Sequence, residues 1–287
     1  MTPSMTSRHQ RNWDLRAAGN FIGGGTGSGL FVTAALAAAA GAPFRLALAI
    51  GLACVIAGLS LVWLEIGKPW RALNVFFHPH TSWMTREAIV AGILVPAGLI
   101  GAVAGSTAVT AAAAVLACGF LYCQALMLRA ARGIPAWRQQ EIVPLILSTG
   151  LAEGSGFYLL VGAQTSNWLV FALFAGLMRE VAWLAYRAGL GRTPAAARSV
   201  AVFGTSPARF VRAAQLAGLV LIALALAAAE LAVAPAIIQA LAGAGGALAA
   251  LAGWGLKALL ITRAAFTRAL AIPVIPTRGR STHARQS

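Results

Sequence analysis

The chain of 287 residues carries only seven acidic side chains, four histidines and three cysteines, so each group able to move a proton or hold a ligand can be weighed singly. Glu65 closes one long apolar segment and Glu87 opens the next, so both fall at the same boundary, joined by one loop. The partial negative charge of a helix C-terminus disfavours an anion at Glu65, whereas an acid suits the helix N-terminus at Glu87. Two carboxylates at one boundary could exchange protons with a ligand arriving from lipid. For Glu65 the other reading is an interfacial ion pair with Lys68 or Arg71; for Glu87 it is an ordinary N-terminal acid.

Glu153, Arg179 and Glu180 sit deeper inside apolar segments. At 1.5 Å per residue Glu153 lies roughly 16 Å and Arg179 roughly 12 Å from the same boundary, on neighbouring antiparallel helices. Charges at that depth are rarely left unpaired. A Glu153–Arg179 structural pair and a proton path or ligand contact both fit. Asp14 precedes the first apolar segment and Glu230 ends near the opposite boundary, so both read as interfacial.

His9, His78, His80 and His283 all lie outside the apolar segments, which argues against a haem held within a bilayer by histidine ligands. Cys54, Cys118 and Cys123 lack the spacing of an iron–sulfur cluster or a zinc site, so no metal is expected in this chain and the cysteines read as packing residues. The run GGGTGSG at 23–29 superficially matches a phosphate loop, but no strand precedes it. Gly19, Gly23 and Gly27, and likewise Gly25 and Gly29, repeat every four residues. That spacing suits close helix packing or a wall against a flat ligand.

The elements that must carry these residues follow from composition. The chain is 59% hydrophobic and 10% charged, with mean hydropathy +0.79; a soluble domain carries about 25% charged residues. Apolar segments fall at 18–40, 44–66, 87–105, 107–128, 142–163, 167–187, 213–233 and 236–260. Each is about 20 residues, enough for a ~30 Å hydrocarbon core. The expected fold is all-α: a polytopic bundle of about eight transmembrane helices in one integral-membrane domain, residues 1–287, with short tails at about 1–17 and 263–287. The first segment is too long for a signal-peptide core and reads as a retained helix.

The formal net charge of +15 does not point to nucleic acid, because the basic residues lie between apolar runs. Of the 22 lysines and arginines, all but Arg45 and Arg179 fall at one set of ends: the N-terminus, loops 2–3, 4–5 and 6–7, and the C-terminal region. By the positive-inside rule that face is cytoplasmic, which gives a bacterial inner-membrane protein with both termini inside.

Loop 2–3 carries EIGKPWRALN at 65–74 and HPHTSWMTRE at 78–87. This resembles the DmsC-type membrane anchor subunits of dimethyl sulfoxide reductase-family molybdoenzymes, which are related to the NrfD and polysulfide-reductase anchors. The register of Met127, Arg129, Pro135, Trp137 and Pro144, then Gly150–Gly156, is similar to that family too, as are the glycine-rich first helix, the length and the eight-helix plan. The resemblance implies a subunit without its own redox centre and not catalytic for the primary substrate. A molybdopterin catalytic subunit and a four-cluster iron–sulfur subunit would dock on it, and it would bind a quinone, ubiquinone or menaquinone, beside the nearest cluster.

In the family the position matching Glu65 can be a histidine implicated in quinol chemistry, and a glutamate matching Glu87 is likewise implicated; here Glu replaces His at the first. Glu87 assisted by Glu65 is therefore expected to protonate the quinone. Arg71 and Arg86 would orient a carbonyl or bind the partner. Trp70 and Trp83 would stack on the ring or anchor at the headgroups, and His78 and His80 are either surface residues or proton relays. Dimethyl sulfoxide reductase itself holds its catalytic subunits outside the cytoplasm. The charge on loop 2–3 instead predicts cytoplasmic partners and a quinone-reducing relative, of the sulfite dehydrogenase (SoeC-like) type or an acyl-CoA:quinone oxidoreductase. The alternatives are a quinol-oxidising dimethyl sulfoxide reductase anchor, a secondary transporter, which would show inverted repeats and broken helices, and a lipid-modifying enzyme.

Overall fold

Eight helices long and apolar enough to cross a membrane are present among the described residues: α1 (Leu15–Ala39), α2 (Arg45–Glu65), α3 (Trp83–Ala104), α4 (Thr107–Arg129), α5 (Ile142–Val161), α6 (Ser166–Gly191), α8 (Ser206–Glu230) and α9 (Pro235–Thr262). A 3-10 turn at Pro194–Ala196 and the short α7 (Ala197–Val202) link α6 to α8. The computed structural model describes residues 4–5, 7–65, 74–268 and 270–271. The chain is an all-α, multi-pass membrane bundle.

Local chemistry sets several boundaries. Asp14 caps α1 by accepting from Arg16 N–H, Ser82 caps α3 by accepting from Thr85 N–H, and Ser106 caps α4 by accepting from Val109 N–H. Gly105 ends α3 in the left-handed region (φ 64°), and Gly41 (φ 70°) turns the chain between α1 and α2. Helices α3 and α8 begin the furthest ahead of the segments that hydropathy predicts. The Ser82 cap starts α3 at Trp83 rather than 87. Helix α8 starts at Ser206 rather than 213, because Pro207 suits a first turn and that turn also carries Arg209.

The glycine-rich α1 is the central helix, packed against α2, α4, α5 and α9. Its two glycine rows face different neighbours. A Cβ at Gly23 or Gly27 would strike the α2 backbone at Cys54 and Gly51, while Gly29 meets Gly150 and Gly154 of α5. The small residues let these backbones touch, which is how helices gain contact where lipid offers no hydrophobic drive.

The tails predicted at 1–17 and 263–287 are not separate in their described parts. Residues β1 (Ser4–Met5) and β2 (Leu270–Ala271) pair antiparallel, Gln10 N–H donates to Ala265 O at 2.9 Å, and Thr267 N–H donates to Arg8 O at 2.7 Å. Trp13 stacks on Trp137 with ring centroids 4.9 Å apart, and Trp137 Nε1 donates to Leu260 O. The described parts of both tails therefore close the end of the bundle that also carries the described parts of loops 2–3, 4–5 and 6–7.

Candidate functional site

Glu87 lies in the second turn of α3, beyond the reach of the helix N-terminal dipole, and is 5% exposed. Amides from two other helices hold it. Gln124 Nε2 on α4 donates to Oε1 at 3.0 Å and Asn20 Nδ2 on α1 donates to the same oxygen at 3.4 Å; Gln124 Nε2 also reaches Asn20 O at 3.2 Å. Gly24 makes this possible, since a Cβ there would collide with the Gln124 amide and Phe120. The second carboxylate oxygen has no hydrogen-bond partner among the described residues.

Beside Glu87 a small, partly open cleft lies between α1, α2, α3 and α4. Trp13, Phe21, Val62, Met84 and Met127 supply apolar and aromatic walls, and Asn20 and Glu87 supply the polar groups. Asn20 Oδ1 is buried with no hydrogen-bond partner. A few convergent polar atoms in an apolar cleft are the usual makings of a small-ligand site. A carboxyl group there can give a proton to, or take one from, a ligand oxygen.

The other residues singled out in loop 2–3 stand on the rim of this end. The Arg86 guanidinium lies 4.0 Å above the Trp83 ring and donates to Pro79 O at 2.8 Å and His80 O at 2.9 Å, which folds the 78–82 turn back onto α3. His78 and His80 are exposed. None of Trp83, Arg86, His78 and His80 lines the cleft. Glu65 ends α2; its side chain, and all of Lys68, Trp70 and Arg71, lie outside the described residues.

The deeper charges are paired differently from the expected Glu153–Arg179 contact. Glu153 pairs with Lys257 of α9, Nζ to Oε2 at 2.7 Å, and Thr26 of α1 donates to the same oxygen at 2.9 Å. Trp254 Nε1 in turn donates to Thr26 Oγ1 at 2.9 Å. Lys257, counted by sequence among the cytoplasmic charges, is wholly buried; it takes the space left by Gly25, where a Cβ would meet its Nζ. Arg179 donates instead to Ala249 O at 3.0 Å, and Glu180 pairs with Arg212 of α8.

Asn20, Gln124, Trp13 and Lys257 are the functional candidates that sequence reasoning missed. Three left a signal: a neutral amide or a lysine inside an apolar run seeks a partner in the bundle. Which partner depends on helix neighbours that no local pattern specifies.

The sequence matches no protein-family model and no curated protein.

Proposed function

We propose that the chain is the membrane anchor and quinone-reactive subunit of a molybdopterin/iron–sulfur oxidoreductase complex, passing electrons from a cytoplasmic iron–sulfur partner to the quinone pool. The observation that carries this reading is Glu87: a buried carboxyl on two amides, one oxygen free, beside an aromatic-walled cleft at the loop 2–3 end. The resemblance of residues 65–74 and 78–87 to DmsC-type anchors supports it from the sequence side.

The donor set fits a quinone headgroup. Glu87 offers a titrating oxygen, Asn20 Oδ1 is an unsatisfied acceptor for a hydroxyl, and Trp13 and Phe21 give flat apolar surface. A bound quinone would supply two-electron, two-proton carrier chemistry. The chain's own part is to admit the ring from lipid, hold it against Asn20, and move a proton at Glu87, with Glu65 the candidate for relaying protons from the loop. Neither Glu65 nor Arg71 adds geometric support, since the Glu65 side chain and Arg71 lie outside the described residues.

The direction of electron flow rests on orientation. With Lys257 buried it leaves the count, and by sequence the other basic residues apart from Arg45 and Arg179 still fall in the segments of the loop 2–3 side, which supports a cytoplasmic placement. Single cysteines at Thr81 and Thr165, in a background without the native three, test this. In right-side-out vesicles an impermeant maleimide should label the 165 site at once and the 81 site only after permeabilisation. The reverse pattern would favour the quinol-oxidising anchor.

The decisive test of the site is Glu87→Gln in the assembled complex. Assembly should persist while quinone-linked turnover is lost; wild-type turnover would remove Glu87 from the mechanism. A secondary transporter is the second reading, favoured by the buried Glu153–Lys257 pair. Substrate accumulation by the isolated chain in vesicles would select it.

A further inference from the structure

Away from the Glu87 cleft, a broad and partly open groove of about 560 Å³ lies where α8 begins and α9 ends, bounded by His9, Val202, Pro207, Leu259, Arg263 and Phe266. Ser206 opens α8 and Thr262 closes α9, so the groove sits at the level where two spans reach the membrane boundary. Helix α8 packs on α6 and α9 rather than on α2 or α3, which sets the groove on a different side of the bundle from Glu87.

Its charge has one sign. Arg263 is exposed, and its guanidinium has no partner among the described residues. Arg209, also exposed, adds a second charge two residues after Pro207 and donates only to Ser206 Oγ, at 3.3 Å. None of the seven acidic residues lines the groove, and Glu180, the acid that meets α8, is held by Arg212. The remaining wall is apolar: Val202, Pro207, Leu259 and Phe266, the last with the His9 ring edge-on against it at 5.3 Å. Phe210 follows Pro207 at a spacing of three, on the same helix face, and is 75% exposed. A basic rim at the boundary thus leads onto apolar surface running into the hydrocarbon.

We infer that this groove binds an anionic phospholipid, with the phosphate on Arg263 in the field of Arg209 and an acyl chain along the apolar wall toward Phe210. Basic recesses between spans suit such headgroups, and a guanidinium fork matches two phosphate oxygens at once. An acidic protein would answer the charge but not the apolar surface that continues below the boundary. The site is independent of the quinone reading, and stands or falls without it.

The test uses the full chain without its three native cysteines, in an uncharged detergent, with Thr205→Cys on the groove wall as the reporter. Short-chain phosphatidylglycerol should slow its reaction with an impermeant maleimide several-fold, and phosphatidylcholine of the same chain length should not. Thr165→Cys, at the opposite end of the bundle, should react at one rate throughout. Arg263→Gln should weaken the protecting lipid's apparent affinity about fivefold, and Arg209→Gln added to it should bring the loss beyond about tenfold. Arg45→Gln, at the opposite end, should leave it unchanged. All three arginines are exposed, so folding is not at stake. Equal protection by phosphatidylcholine, or wild-type affinity in the Arg209→Gln, Arg263→Gln double variant, overturns the proposal. Equal protection by inorganic phosphate overturns the lipid as the source of the anion. Protection that persists without lipid and ends only when a co-purifying protein is removed gives the groove to that protein, and overturns the proposal too.

Discussion

Lys257 Nζ lies 2.7 Å from Glu153 Oε2, with neither side chain exposed at all, in the seam between α5, α9 and α1. Thr26 and Trp254 extend the contact into a hydrogen-bonded chain across three helices. Such a pair matters less for its own net energy than for the penalty of breaking it, since one buried charge left alone is what costs. Lys257→Met should therefore destabilise the folded chain by about 3–5 kcal/mol. The double change Glu153→Gln with Lys257→Met should recover most of that. Thermal or denaturant unfolding in detergent measures both, and a double variant as unstable as the sum of the two singles would contradict the pairing.

The α1–α5 crossing should be the most substitution-sensitive part of the bundle. A Cβ at Gly154 would press on Gly29 and the Leu30 backbone N, both main-chain atoms that cannot swing aside. Gly154→Ala is expected to cost about 1–3 kcal/mol through overpacking. Gly92 on α3 has nothing within 4 Å of its Cβ position, so Gly92→Ala should be neutral or stabilise by up to about 1 kcal/mol through helix propensity. Melting temperatures of the two variants should move apart; a Gly154→Ala chain that melts like the wild type would mean that the two backbones are not in contact.

The eight spans were legible because membrane crossing is written in length and hydropathy alone; the left-handed turns at Gly41 and Gly105 fall at or beside the short gaps between those spans, where glycine takes a positive φ without strain. The boundary errors have local causes: hydropathy is blind to a serine cap at Ser82 and to arginine-bearing first turns such as that of α8. Glu87 was found as a candidate but for an incomplete reason, since its setting is made by Asn20 and Gln124, 67 and 37 residues away. Lys257 was misassigned because its spacing from the C-terminal arginines resembles a cytoplasmic cluster, while Gly25, which makes room for it, is far off in sequence. Contacts of that range depend on which helices become neighbours.

Asp14 gives the start of α1 a pH dependence. The side-chain hydrogen bond and charge of Arg16 hold its carboxyl below the ordinary value of 3.8. A carboxyl lowered on folding stabilises the native state above its unfolded value, and that contribution fades as pH falls through the lower native value. Asp14→Asn keeps a capping side chain but removes the ion pair. Its melting temperature should lie slightly below that of the wild type near pH 6 and converge with it below pH 3.8, the gap shrinking at high salt because the pair is exposed. A gap that persists at low pH would assign the difference to the cap rather than the charge.

Gln124 is the residue through which α4 positions Glu87. Its Nε2 is shared between Glu87 Oε1 and the Asn20 carbonyl, so Gln124→Leu strips a donor from two buried acceptors at once. The expected loss is about 1–3 kcal/mol of stability. Because Glu87 would keep only the longer bond from Asn20, the carboxyl should also lose its fixed direction toward the cleft. In the assembled complex that predicts a fall in quinone-linked turnover with the subunits still associated, and a shifted pH profile that a purely structural defect would not produce. Combining Gln124→Leu with Glu87→Leu should cost less than the sum of the two, by a coupling of roughly 0.5–3 kcal/mol for groups in direct contact. Additive effects together with an unchanged pH profile would show that the α4 amide does not hold the carboxyl, and that Glu87 acts, if at all, from another position.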